Sequence, residues 1–172
     1  MKRTYLVAMI DDATRLVTHA QFYDNQRLPI LEHCFKRAVL RFGKPDAVYV
    51  DNGKIFVSNW FRLACMKLGI RHMRTKPYAA ASKGKIEKFN AYVDSFLAEL
   101  SLAPAATLDE LNQKWKIWLD DEYIHKPHSS LNGKTPMEAY MQEAKPVRMA
   151  HVEDLYDAFI HEATCRVDKT GV

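Results

Sequence analysis

Apolar positions along this chain follow two periods, and the order in which the periods alternate predicts its elements. Residues 4–10 (TYLVAMI) and 16–23 (LVTHAQFY) are short runs rich in β-branched and aromatic side chains, as in strands, and DDATR between them suits a hairpin or tight connection. From 28 to 43 the apolar residues stand at 30, 31, 34, 35, 38, 39 and 42, the spacing of an amphipathic helix that Gly43 ends and Pro45 keeps from continuing. AVYV (47–50) predicts a third strand. Ser58 is placed to cap a helix that stops at Gly69, and IRHMRT (70–75) reads as a fourth strand before Pro77. From about Lys83 to Leu100 the pattern turns helical again, with Ile86, Phe89, Val93, Phe96 and Leu97 on one face.

The rest reads as helices. Thr107 opens TLDELNQKWKIWLDDEYI with a Thr-x-x-Glu capping box, and Thr135 to Glu138 repeats that signature with Pro136 in the first turn. Trp115 and Trp118, three apart, predict a core contact or a dimer face. Residues 152–162 predict a further short helix, and TCRVDKTGV at the end resembles a strand with a turn. The order of elements is that of an α/β fold with a C-terminal helical extension, divided as 1–102, 103–164 and the opening of a further, truncated segment at 165–172.

Composition narrows the function classes. With 172 residues, 48% hydrophobic and 27% charged, the chain suits one soluble globular domain with a small appendage. No apolar run approaches the roughly 20 residues that span a bilayer, and the apolar stretch near the start is too short for a signal peptide. Three widely spaced cysteines (Cys34, Cys65, Cys165) form neither a disulfide framework nor a zinc motif, which points to a reducing cell interior. The net charge of +4 is unevenly spread. Residues 1–100 carry 17 Lys/Arg against 9 Asp/Glu, and the remainder 8 against 12. The densest basic stretch, 71–88, has six cations and one acid, which attracts polyanions, nucleic acid above all, unless it is simply a solvated surface.

Chemistry is most legible at AVYVDNGKIF (47–56). Asn-Gly after a short apolar run is a turn signal, yet Asp51 also ends a strand in an α/β pattern, where ligands gather. A lone carboxylate binds Mg²⁺ poorly, so Asp51 needs a partner. Glu87 is the candidate, with 35 residues between the two. The plain alternative for Glu87 is an acid in the first turn of a helix, stabilised by the dipole by about 0.3–1 kcal/mol. Asp11 and Asp12 read as turn residues, with Thr14 and Arg15 beside them. His125 and His128 lack zinc-finger context, and His33 and Cys34 lie in an amphipathic helix and need no function.

Four segments in order, YLVAMIDDATRLV, VYVDNGKIF, CMKLGIRHMRTKPYAAASKGKIEKFN and YIHKPHSSLNGKTPMEAY, make this chain resemble the integrase core of retroviral integrases and DDE transposases. The 35-residue spacing matches that of the best-known subgroup, and His125 stands where the family usually has Asn. The resemblance implies a ribonuclease-H-like mixed sheet flanked by helices. It implies two Mg²⁺ (or Mn²⁺) ions held by acids, with Asp51 as one ligand and Glu87 as the closing one, for cleavage and transfer of DNA strands. Lys83, Lys85 and Lys88 would contact phosphates, with Arg74 and Lys76 as weaker candidates and Tyr78 either a packing residue or a sugar contact.

The family has three such acids, the first on a strand preceding the one that matches TYLVAMI. Asp11 is a weak stand-in, because MIDDATR matches a later block and only 39 residues separate it from Asp51. The expectation is therefore a core fragment without its first catalytic strand, inactive by itself, working on DNA in a prokaryotic cytoplasm as a homo-oligomer. Without that strand the sheet should be rearranged, completed by strand exchange between copies, or edged by another segment. Two other readings remain: a non-catalytic DNA-binding or multimerisation module with the same fold, and a ribonuclease-H-type nuclease.

Overall fold

Tyr5–Ile10 (β1) and Val17–Tyr23 (β2) pair antiparallel, with Tyr5 opposite Tyr23 and Ala8 opposite Ala20. The reversal between them is built by Asp11, whose Oδ2 accepts from the Thr14 amide at 2.8 Å and its hydroxyl at 2.7 Å, and by Arg15 at φ 63°. Thr18 is an extra residue opposite Met9 and Ile10, a bulge whose hydroxyl donates to the Met9 carbonyl at 3.1 Å. The computed structural model describes residues 3–74, 80–143 and 146–160, and of 80–86 the backbone alone. The expected terminal strand at 165–172 lies outside the described residues.

Leu28–Phe42 (α1) buries Ile30, Leu31, Cys34, Phe35, Ala38 and Val39, the face that the apolar spacing predicts. Lys36 is buried with them against expectation: its ammonium pairs with Glu32 and stands 3.9 Å from the centre of the Tyr156 ring. Ala47–Val50 (β3), Asn59–Lys67 (α2) and Arg71–Arg74 (β4) form a strand–helix–strand unit with β3 and β4 parallel and Val48 opposite His72. Ser58 caps α2 by accepting from the Phe61 amide at 3.3 Å, and Gly69 at φ 68° turns the chain out of it.

The sheet is rearranged, one of the three outcomes expected from the sequence. Among the described residues the strands make two separate pairs, β1 with β2 and β3 with β4. They are joined through side chains: Met9 of β1 packs on the cluster that holds Val48 and Val50 of β3 together with Phe35 and Val39 of α1. The physical reason is that β1 and β3 do not bond to one another, so each keeps an edge of backbone groups that no described strand pairs.

Ala80–Leu102 (α3) starts earlier than the sequence pattern, and Leu97, expected on its apolar face, is largely exposed. Leu108–Leu119 (α4) follows, capped by Thr107, and runs into a wider π-helical segment at Asp120–Ile124 that brings Tyr123 and Ile124 into the core. These elements close one cluster with β2: Leu16, Val17, Phe22, Phe89, Val93, Phe96, Leu111, Trp115, Trp118, Leu119, Tyr123 and Ile124. Trp115 donates its indole N–H to the Ala20 carbonyl, and the Asn112 side chain bonds both the N–H and the C=O of Phe22, at 2.8 and 3.0 Å. Both contacts fix α4 on the free edge of β2. Pro136–Met141 (α5), with a complete Thr135–Glu138 capping box, and Val152–Asp157 (α6) finish the described chain. Leu155, Ala158 and Phe159 seal the cluster under α1 and α2.

Candidate functional site

Asp51 is exposed and follows β3 directly. Its Oδ1 accepts the Gly53 amide proton at 2.8 Å, so the carboxylate does build the Asn-Gly turn, with no hydrogen bond to Oδ2 from the described residues. Gly53 leaves the carboxylate its room: a Cβ on it would stand 2.9 Å from Oδ1 and 3.1 Å from the Phe56 ring and push the Asp51 side chain aside. The loop after the turn is tied to β4. His72 bonds the Phe56 carbonyl through Nε2 at 2.8 Å, and Arg74 donates to the Val57 carbonyl at 3.3 Å. His72 was not singled out from sequence; the signal was its place opposite Val48 in the neighbouring strand.

Glu87 is exposed on α3. Because α3 begins at Ala80, Glu87 lies in its third turn and not in the first, as the apolar pattern implied. The dipole acts within about one turn of the helix end, so it does not account for an acid at this depth. Phe89, two residues on, is buried against Trp115 and Tyr123 and fixes which way this part of the helix turns.

Of the expected phosphate contacts, Lys88 is exposed and donates to the Ser129 hydroxyl at 2.7 Å, joining α3 to the 125–140 block. Lys83 and Lys85 lie on α3 but their side chains are outside the described residues, as are Lys76 and Tyr78. Arg74 is exposed and engaged with Val57. His128 is buried against Tyr92 and Tyr123, with Nδ1 facing the Ser130 hydroxyl at 2.9 Å. Burial first, then the charges of Lys88 and Arg15, hold it below the usual histidine range. It is a packing residue. His125 faces Asp120 at 3.5 Å.

Asp11 spends its carboxylate on the turn, as described above, and its charge raises the pKa of Tyr140 after burial does. Asp51 and Glu87 thus remain as exposed acids with hard oxygen donors. Such donors suit Mg²⁺ or Mn²⁺, which take one or two carboxylates and fill the shell with water and phosphate oxygens. Among the described residues no three His, Cys, Asp or Glu side chains gather as a metal cage. No helix among them is long and apolar enough to cross a membrane.

A further cluster was missed in the sequence. His19 on β2 lies edge-on to His33 of α1, with ring centres 5.9 Å apart, and the Tyr23 hydroxyl meets His33 Nδ1 at 2.8 Å. Burial, then the charges of His33, Arg37 and Arg41, push the His19 pKa down to about 4. Burial and Arg37 lower that of His33.

Two family models described as the integrase core domain match the chain, one at residues 1–80 and the other at 68–136. An uncharacterized protein of Caenorhabditis elegans, K02A2.6, is 32% identical over 98 residues, which are 57% of this chain and 7% of that protein. The chain therefore spans a small part of that relative's length. Among solved structures, the simian T-cell lymphotropic virus intasome in complex with the PP2A regulatory subunit B56 gamma aligns at a TM-score of 0.66 and 22% identity, covering 86% of this chain and 52% of that one. The HTLV-2 integrase catalytic core domain in complex with magnesium aligns at 0.60 and 21% identity, covering 78% and 83%. The fold is thus the ribonuclease-H-like one of retroviral integrase cores, as the sequence led us to expect.

Proposed function

Because this chain belongs to the integrase core domain family, we propose that it is the catalytic core of a DNA integrase or transposase, with 1–102 as the core, 103–164 as its helical extension and 165–172 as the entry to a further unit. Asp51 and Glu87 are its metal ligands. Bound Mg²⁺ or Mn²⁺ supplies activation of a water or 3′-hydroxyl and stabilisation of the leaving oxygen at a phosphodiester. The Gly53 N–H holds the Asp51 side chain in one orientation and leaves Oδ2 for the metal. Lys88, with Lys83 and Lys85 on the same helix, meets DNA phosphates, and Arg74 and Lys76 extend that surface. The protein works on DNA as an oligomer, in the cell interior, where the buried thiols of Cys34 and Cys65 stay reduced.

The observation that carries the reading is the pair of integrase-core matches, over 1–80 with Asp51 and over 68–136 with Glu87. A further strand between the edges of β1 and β3 that no described strand pairs would rejoin the two strand pairs into one mixed sheet. The second reading is a DNA-binding or multimerisation module without catalysis.

One titration separates them. Mg²⁺-dependent nicking of duplex DNA that Glu87→Gln abolishes while DNA affinity stays intact supports the enzyme. Salt-sensitive DNA binding with no uptake of Mn²⁺ supports the module, and preferential cleavage of RNA–DNA hybrids would point to a ribonuclease.

A further inference from the structure

The cations of α3 lie in its first half, and its second half faces different chemistry. Between that half and α4 lies a groove of about 380 Å³. Its apolar wall is Phe96 and Leu100 from α3 with Ile117 and Trp118 from α4. Ile117 is 63% exposed, and Leu102 at the end of α3 is 87% exposed. Trp118 is only 8% exposed, and its indole N–H is buried with no hydrogen-bond partner among the described residues. A buried indole donor ordinarily finds an acceptor. Here the N–H is itself shut off from solvent.

The rim is acidic. Glu99, Asp121 and Glu122 line it, against one cation, Lys114. Lys114 is already engaged, 3.0 Å from Glu110 and 2.8 Å from the Ala103 carbonyl. Glu122 pairs with Lys126, which leaves Glu99 and Asp121 without an ion pair among the described residues. Such a rim repels nucleic acid. It also repels the same face of a second copy, which would set Glu99 and Asp121 against like charges.

We propose that the α3–α4 groove docks an amphipathic helix of a partner protein, one presenting aliphatic or aromatic anchors flanked by lysine or arginine. Its anchors fill the space over Leu100, Ile117 and Trp118, and its cations meet Glu99 and Asp121. Two helices with a groove between them offer a third helix the ridge-and-groove surface that such segments use.

The test uses the whole chain and a synthetic 18-residue helical peptide with leucine and phenylalanine on one face and lysines beside them. A control peptide carries glutamates in place of the lysines. Binding is read by calorimetry and by the Trp118 indole N–H resonance, assigned with Trp118→Phe. The expected result is binding of the lysine peptide alone, a shifted Trp118 resonance, and affinity about tenfold weaker in Asp121→Lys, as for loss of a close charge pair. Ile117→Asp, on an exposed side chain, should abolish binding with the melting temperature unchanged. Equal binding of both peptides overturns the proposal, as does indifference to Ile117→Asp. A dimer in sedimentation that Ile117→Asp dissolves would assign the groove to a second copy and overturn it too.

Discussion

The Asp51 carboxylate and the Gly53 amide are bonded at 2.8 Å, so the side chain that we propose as a metal ligand also turns the chain. The two duties separate by substitution. Asp51→Asn keeps an oxygen for the Gly53 N–H and should leave stability within about 0.5 kcal/mol of the parent, while Asp51→Ala removes the bond and costs about 1 kcal/mol. Both should lose Mn²⁺ binding, followed by paramagnetic relaxation. Retained metal binding in Asp51→Asn would show that the turn is the residue's whole role.

Gly53→Ala offers the converse. Its Cβ would meet Asp51 Oδ1 and the Phe56 ring, both closer than ordinary contact, so the carboxylate must swing away. Metal affinity should fall with a loss of stability of about 1 kcal/mol or less, because the loop is at the surface.

The open edges of β1 and β3 make a prediction for amide exchange. Amides of β1 that point into the β1–β2 ladder should be protected, and those directed to the other edge should exchange orders of magnitude faster. An added strand that protects the second set would support completion of the sheet. Uniform protection along β1 in the isolated chain would contradict the split.

Lys88 holds Ser129 at 2.7 Å and is the one lysine of the 83–88 group whose side chain is described. Lys88→Ala should weaken DNA binding without changing sequence preference and reduce the slope of log K against log salt by about 1. An unchanged slope, measured by fluorescence anisotropy at several salt concentrations, would remove it from the DNA surface.

Acid should destabilise the fold through its histidines. Unfolded His19 takes up a proton near the ordinary 6.5, whereas the folded imidazole, buried beside His33, Arg37 and Arg41, does so only at about 4. The unfolded state thus binds more protons in that window, and stability falls as pH drops from about 6.5 to 4. After allowance for solvent screening, His19 contributes about 1–2 kcal/mol to that fall. His33 and His128 shift in the same direction. Urea midpoints at pH 7, 5.5 and 4.5 should show the slope, and His19→Gln should flatten it.

Local periodicity settled a great deal. The strand at 47–50, the buried face of α1, the Ser58 cap and the stop at Gly69 follow from rules that act over a few residues, and each stands in the structure as read. Asp51 and Glu87 could be singled out for a different reason: their spacing, with two further segments in order around it, resembled a family pattern. The start of α3 was not legible, because alanines at 80 and 81 carry no amphipathic signal, and that shift of three residues changed the standing of Glu87. Leu97 was misplaced because helical periodicity identifies a face but not how far a neighbour extends to cover it.

What the sequence determined by itself, then, was the kind and order of most elements, since backbone preference and apolar spacing are local; Asp51 and Glu87 as metal ligands are a proposal that it raised. What only the tertiary structure decided was which strands pair and which do not. Two strand pairs with open edges at β1 and β3, joined through Met9 and α1, result from contacts between residues about 40 apart, which no local pattern records. The burial of Lys36 under Tyr156 and the leftover donor of Trp118 belong to the same class. Each depends on what a distant part of the chain sets against a residue, and so on packing, not on preference.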